Sequence, residues 1–138
     1  MMIYVLDASF VGAQIIPDEK YPQIEKLYNT IKYNDIKFVP DLLWYEIANI
    51  FQNSIRRNRY TYDEVLDFFP FLAGMHLKSD SETGIEYSKK ILRLCNNYNL
   101  SSYDAAYLEL AERKSAVLCT LDEGLRKAAK KHGVLLLK

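Results

Sequence analysis

The sequence carries no net charge: 18 basic and 18 acidic residues cancel across 138 positions. No global field therefore draws the chain toward a polyanion, and any nucleic-acid binding has to come from local patches. Cysteine is nearly missing. Cys95 and Cys119 form no C-x-x-C pair and each sits in an apolar periodic segment, so both are expected to pack as small, inert hydrophobes in a reducing compartment. A basic, apolar leader is missing too, because Asp7 interrupts the opening run Met2-Ile3-Tyr4-Val5-Leu6. No later apolar run approaches the ~20 residues of a membrane-spanning helix. These absences predict a cytoplasmic protein with no membrane association. Internal repeats, linkers and low-complexity stretches are also lacking. With 49% hydrophobic and 26% charged residues, residues 1–138 are expected to form one domain that buries its own core without staples.

What is present is an alternation of short apolar strands and amphipathic helices. Met2 to Leu6 reads as a strand buried on both faces, followed by a short helical turn before Pro17. Ile24, Leu27, Tyr28 and Ile31 recur at helical spacing and predict a helix over 19–33. Ile36 to Val39 reads as a second strand. Pro40 ends it, and Asp41 can cap a helix that carries Leu43, Ile47 and Ile50 through Arg57. Thr61 and Glu64 make a capping box for a helix that Pro70 should kink or end. Met75 to Lys78 is a candidate short strand. Ser79 to Ser81 can cap a helix with Ile85, Ser88, Leu92 and Cys95 along one side. Ser101 caps the next helix, Val117 to Thr120 is a strand, and Asp122-Glu123-Gly124 opens a last helix that stops at His132-Gly133. Val134 to Leu137 reads as a final strand. The pattern predicts an α/β fold with a mainly parallel central sheet of four or five strands flanked by helices.

Four acids stand out against this frame. Asp7 and Asp122 each follow a strand and could simply cap the next helix. Asp104, three residues after Ser101, suits the first turn of its helix. Glu46 adjoins the apolar side of its helix, where an unpaired Glu is rarely buried, and a salt bridge to a nearby Arg is its ordinary explanation. Jointly they read differently. Ligands of parallel α/β sheets bind beyond the carboxyl ends of the strands, and all four acids map to that mouth. Two like charges at 4 Å repel by roughly 4 kcal/mol at an effective dielectric near 20, so such carboxylates take up protons unless a cation holds them ionised. No His pair or thiolate set accompanies them, and neither His76 nor His132 is assigned a ligand role. An all-oxygen donor set favours Mg²⁺ or Mn²⁺ over Zn²⁺.

The four pieces in order resemble the PIN-domain family, and within it the VapC-type toxins of prokaryotic toxin–antitoxin pairs. They are Asp7-Ala8-Ser9 after the first strand, Glu46-Ile47-Ala48-Asn49, Leu100-Ser101-Ser102-Tyr103-Asp104-Ala105-Ala106-Tyr107-Leu108, and Thr120-Leu121-Asp122-Glu123-Gly124-Leu125 followed by Ala128-Ala129 and Gly133-Val134. The resemblance implies a metal-dependent endoribonuclease with Asp7, Glu46, Asp104 and Asp122 as its acidic constellation. Asp7, Asp104 and Glu46 would be direct or water-mediated ligands of Mg²⁺ or Mn²⁺, with Asp122 acting directly or only through water. Ser9 and Thr120 match supporting polar positions. Asn49 matches a position that orients Glu46 or contacts substrate. Implied products carry a 5′-phosphate and a 3′-hydroxyl, and the implied assembly is a homodimer joined to a cognate antitoxin.

RNA also has to be held. Arg56, Arg57 and Arg59 follow the Glu46 helix, and both phosphate contact and a solvated face fit them. For Arg126, Lys127, Lys130 and Lys131 the solvated face at a helix end is preferred. Two alternatives stay within the family: a housekeeping RNA-processing enzyme, and a module that binds RNA or protein without cutting. A phosphatase of the haloacid-dehalogenase type would need an acid where Ser9 stands. A receiver domain would need adjacent acids after the first strand. Neither pattern is present.

Overall fold

Ile3–Leu6 (β1), Ile36–Pro40 (β2), Lys78–Asp80 (β3) and Val117–Cys119 (β4) pair in parallel, in the order β3-β2-β1-β4. A computed structural model describes all of residues 1–138. Tyr4 lies beside Lys37 on one side and Val117 on the other. The central strand β1 is therefore apolar on both faces, as interior parallel strands are. Helices flank the sheet: Ala8–Ile15 (α1), Pro22–Tyr28 (α2), Leu42–Arg56 (α3), Tyr62–Leu66 (α4), Phe69–Gly74 (α5), Ile85–Tyr98 (α6), Ser102–Arg113 (α7) and Glu123–His132 (α8). Residues 105–111 of α7 are all buried, the signature of a helix surrounded by other elements. Ala105, Ala106 and Ala111 keep it slim enough to lie against the sheet and α6. One contiguous apolar cluster runs through the molecule, so the predicted α/β sheet, here of four strands, encloses a single core. No helix is long and apolar enough to cross a membrane.

Several local expectations shift, each for an identifiable reason. The turn after β1 is a two-turn helix, α1, because Asp7 caps it by accepting the Phe10 N–H. The helix foreseen over 19–33 is only α2, preceded by a 3-10 turn at Pro17–Glu19. Thr61 and Glu64 do form the capping box. Pro70 then opens α5, occupying the first turn where a missing N–H leaves no bond unmade. Asp41 does not cap α3. Its carboxylate instead accepts the Ser81 hydroxyl at 2.6 Å. With Ser81 so engaged, β3 falls at Lys78–Asp80 rather than 75–78, and α6 starts only after Gly84, whose φ of 101° suits glycine alone. The buried stripe of α6 is Ile91 and Leu94, while Ile85 and Leu92 are exposed. Cys119 is buried as expected, but Cys95 only partly. The predicted final strand shrinks to one parallel bridge between Leu136 and Leu118.

Arg113 at the end of α7 clamps the β3 edge. Its guanidinium donates two bonds to Asp80 (2.7 and 3.2 Å) and two to Glu109 (2.8 and 3.0 Å). It also sits 3.7 Å from the half-exposed Glu82. Glu109 is buried, so removing the cation strands a carboxylate in the core. Arg113→Met is expected to destabilise by about 3–5 kcal/mol in urea denaturation, against under ~0.5 kcal/mol for Glu82→Gln. The guanidinium holds the Asp80 carboxyl below its ordinary range. Its contribution is therefore present above the unfolded value near 4 and is lost as pH falls through the lower folded value. Equal effects of the two substitutions would remove the clamp from this account.

Candidate active site

The cavity beyond the carboxyl ends of β1 and β4 is assembled from four separated segments. Asp7 leaves β1 directly into the cap of α1, and its buried carboxylate is surrounded by donors. Oδ1 accepts the Phe10 N–H at 2.9 Å and the Ser9 hydroxyl at 2.7 Å, and Oδ2 accepts the Thr120 hydroxyl in a short bond. Thr120 Oγ1 in turn accepts the Asp122 N–H at 3.0 Å, and Ser9 Oγ accepts the Leu121 N–H at 3.2 Å. The end of β4 is thereby stitched to the start of α1. Asp122 caps α8 by accepting the Leu125 N–H at 2.8 Å. Asp104 rises in the first turn of α7, its N–H bonded to the Ser101 cap at 3.1 Å. Glu46 enters from α3, and Tyr107 donates its hydroxyl to Glu46 Oε1 at 2.6 Å.

All four predicted acids thus border one cavity of about 330 Å³. Ser9, Asn49, Asn53 and Tyr107 complete its polar wall, and no Lys, Arg or His lines it. Thr120 stands behind Asp7 rather than in the wall. The capping explanations for Asp7 and Asp122 hold together with the cluster, since one carboxylate does both. The salt bridge envisaged for Glu46 is absent, and Tyr107 takes that place. Asn49 reaches the cavity but bonds nothing in Glu46. Tyr107 and Asn53 were not singled out in the sequence. Tyr107 sits three residues after Asp104, and Asn53 seven after Glu46, so helical spacing alone places both on the site-facing sides of α7 and α3. Of the arginine trio none lines the cavity. Arg59 is paired with Asp18 and lies 3.8 Å from Glu19, whereas Arg56 and Arg57 stay exposed at the end of α3.

Crowding of like charge has measurable consequences. Burial raises the Asp7 carboxyl above its ordinary range against the pull of its three donors, and Asp104 raises it further. Burial and the neighbouring Asp122 raise Asp104. Glu46 is raised by burial and by Asp7 and Asp104, with the Tyr107 hydroxyl pulling the other way. Tyr107 itself is held far above its usual range by burial and Glu46, so it stays a neutral phenol that can donate to Glu46. A wall whose metal-binding atoms are all oxygens, with no compensating cation, fits a hard divalent ion. As the side chains stand, no three of the acids close around one point. Such an ion would keep several water ligands, as Mg²⁺ usually does.

The PIN domain family model matches residues 4–131. The chain belongs to the PIN-domain family. This PIN domain is 30% identical over 124 residues to Ribonuclease VapC3 of Pyrobaculum aerophilum, covering 90% of this chain and 92% of that protein. Its fold is similar to PAE2754 of the same organism (TM-score 0.71, 20% identity, 99% of this chain and 84% of that one). It is also similar to VapBC2 of Rickettsia felis, whose structure is bound to a DNA fragment from its promoter (TM-score 0.69, 12% identity, 98% and 97%). At those identities the structural likeness is one of fold.

In this PIN domain Asp7, Glu46 and Asp104 all hold their protons more tightly folded than unfolded, where carboxyls titrate near 4. Above that pH the folded state binds more protons, so the cluster's destabilising share is largest at neutral pH and is lost as pH falls. In chelator, Asp104→Asn should raise the melting midpoint near pH 7.5 by a few degrees, on the order of 0.5–2 kcal/mol. The gain should shrink toward pH 5. A gain that is absent at pH 7.5, or that grows on acidification, would contradict the repulsion.

Proposed function

We propose that this PIN-domain protein is a divalent-metal-dependent endoribonuclease and the toxin of a toxin–antitoxin pair. The observation that carries the reading is a cavity bordered by four carboxylates from four separate segments with no cation in its wall. A 30%-identical relative named as a ribonuclease supports RNA as the substrate. Asp7, Glu46 and Asp104 would hold Mg²⁺ or Mn²⁺, with Asp122 acting directly or through water. Bound there, the ion supplies a water acidified toward neutral pH and positive charge for the scissile phosphate.

The chain's own residues do the positioning. Ser9, Thr120 and the Phe10 N–H fix both oxygens of Asp7. Tyr107 fixes one oxygen of Glu46 and leaves the other free for the cavity. Ser101 anchors the turn that presents Asp104. Asn49 and Asn53 offer amides to the sugar–phosphate chain, and Arg56 and Arg57 offer charge to phosphates outside the cavity. Arg59, tied to Asp18, joins them only by leaving that pair. Cleavage leaves a 5′-phosphate and a 3′-hydroxyl. Residues 1–138 act as one domain in the cytoplasm, as a homodimer held inactive by its antitoxin.

Purified protein should cut a mixed pool of structured and single-stranded RNA with Mg²⁺ or Mn²⁺ and not with EDTA. Ser9→Ala and Thr120→Val should lower the rate roughly 10- to 100-fold, the range for groups that orient a metal ligand. Asp7→Asn and Asp104→Asn should lose more than that. Cutting that survives EDTA or both Asp variants would rule out this site, and a folded, metal-supplied protein that cuts nothing would point to a binding module.

A further inference from the structure

A second cavity, of about 300 Å³, opens at the amino ends of β2 and β3, the opposite end of the sheet from the carboxylates. Tyr33, Asp35, Lys37, His76 and Lys78 border it. Lys37 is the unusual member. It sits on an interior strand and is only 7% exposed, yet none of the ion pairs includes it. No buried side-chain nitrogen is left without a partner anywhere in the chain. The Lys37 ammonium, having no protein partner, must therefore reach the cavity, with its stem buried and its charge at the opening.

Asp35, the acid in the same wall, forms no ion pair with that ammonium. Asp35 accepts the N–H groups of Met2 (2.9 Å) and Lys32 (2.8 Å), which tie it to the chain rather than to Lys37. Lys78 also borders the cavity, but its ammonium lies 5.5 Å over the Phe38 ring, on the other face of the sheet from Lys37. Beside them the Tyr33 ring is 93% exposed and meets His76 edge-on at 6.4 Å. An ammonium carried on a buried stem to a cavity mouth is open to an anion, and an exposed aromatic face next to a cation is the combination that single-stranded nucleic acid uses.

We propose that this cavity binds a phosphate of single-stranded RNA, with Lys37 as its counter-charge and Tyr33 as the stacking face for the adjoining base. The inference rests on the reading of RNA as substrate. It adds a holding point at the far end of β2, roughly 13 Å of strand from the catalytic mouth, so a strand engaging both has to wrap the β3 edge.

Binding is measured by fluorescence anisotropy of a short labelled single-stranded RNA on the cleavage-blocked Asp104→Asn chain in EDTA. Adding Lys37→Met should weaken binding about 5- to 10-fold and reduce the log–log salt slope by roughly 0.7, the share of one phosphate on a single strand. Tyr33→Ala, an exposed change that the fold tolerates, should weaken single-stranded RNA by roughly 5-fold or more and leave duplex RNA unaffected. Unchanged affinity and slope in both variants overturns the site, as does an Asp104→Asn chain that binds no RNA. A phosphate-induced rise in melting point that Lys37→Met abolishes, without any RNA binding, also overturns it and leaves a small-anion site. Metal-dependent cutting with unaltered binding in both variants sinks this site alone. Binding lost in both, by a wild-type chain that cuts nothing, sinks the nuclease and keeps the site.

Discussion

The buried carboxylate of Asp7 is the constraint around which the site is built. A carboxylate out of water is tolerable only when its lone pairs are answered, and here the answers come from both sides of the sheet's centre. Ser9 and Phe10 supply donors from α1, Thr120 supplies one from the end of β4, and the Asp7 N–H itself bonds the Cys119 carbonyl at 3.0 Å. The strand order makes this possible. Because β1 and β4 are parallel neighbours, their carboxyl ends stop side by side, and residues more than a hundred positions apart in sequence share one set of hydrogen bonds. Thr120 then passes the connection on to Asp122, which starts α8. Local capping and the convergence of the acids are one event.

That convergence opposes folding, and the rest of the molecule has to offset it. Burial raises the affinity of Asp7, Glu46 and Asp104 for protons, and neighbouring acids add to it, Asp104 on Asp7, Asp7 and Asp104 on Glu46, and Asp122 on Asp104; nothing basic in the cavity relieves them. What holds them close is the packing of their elements. Seven consecutive buried residues keep α7 in place, while Leu43, Ile47 and Phe51 anchor α3. Tyr107 belongs to both sides of this balance, with a ring in the core and a hydroxyl on Glu46. A site under such repulsion is predisposed to bind a cation, since the cation removes the strain that the core otherwise carries.

Much of this was legible in the sequence, and the parts that were not share a cause. Apolar runs ending in acids gave the strands and the mouth, since interior parallel strands and caps both leave strong local marks. Tertiary choices left none. Ser81 could cap α6 or bond Asp41, and the fold uses the second option, which moves β3 and the start of α6 together. The α6 stripe differs from the expected one because Ile85–Leu92 and Ile91–Leu94 both repeat at helical spacing, and only the position of α7 decides which side is buried. Val134 to Leu137 is apolar enough for a strand, but it joins β4 through a single bridge, in which Leu118 bonds the Leu135 carbonyl and the Leu137 N–H. Glu46 is anomalous on a half-apolar helix from the sequence alone, yet its partner, Tyr107, is 61 residues away and invisible to any local rule.

Formal neutrality conceals how unevenly the charges are used. Arg113 and Arg59 are each engaged with carboxylates within the fold, so they neutralise the protein rather than its ligands. The four acids remain uncompensated at the carboxyl ends of the strands, and Lys37 remains uncompensated toward the amino ends. In the proposed function a polyanion would be repelled by the cavity in which it reacts, and Lys37 would offer it a counter-charge at a distance. Within the proposed function, a divalent ion is needed before chemistry begins, because without one the phosphate cannot approach Asp7 and Asp104 at all. Cations set away from the mouth then have a physical purpose: they hold the strand while the metal-loaded cavity takes a single phosphate from it.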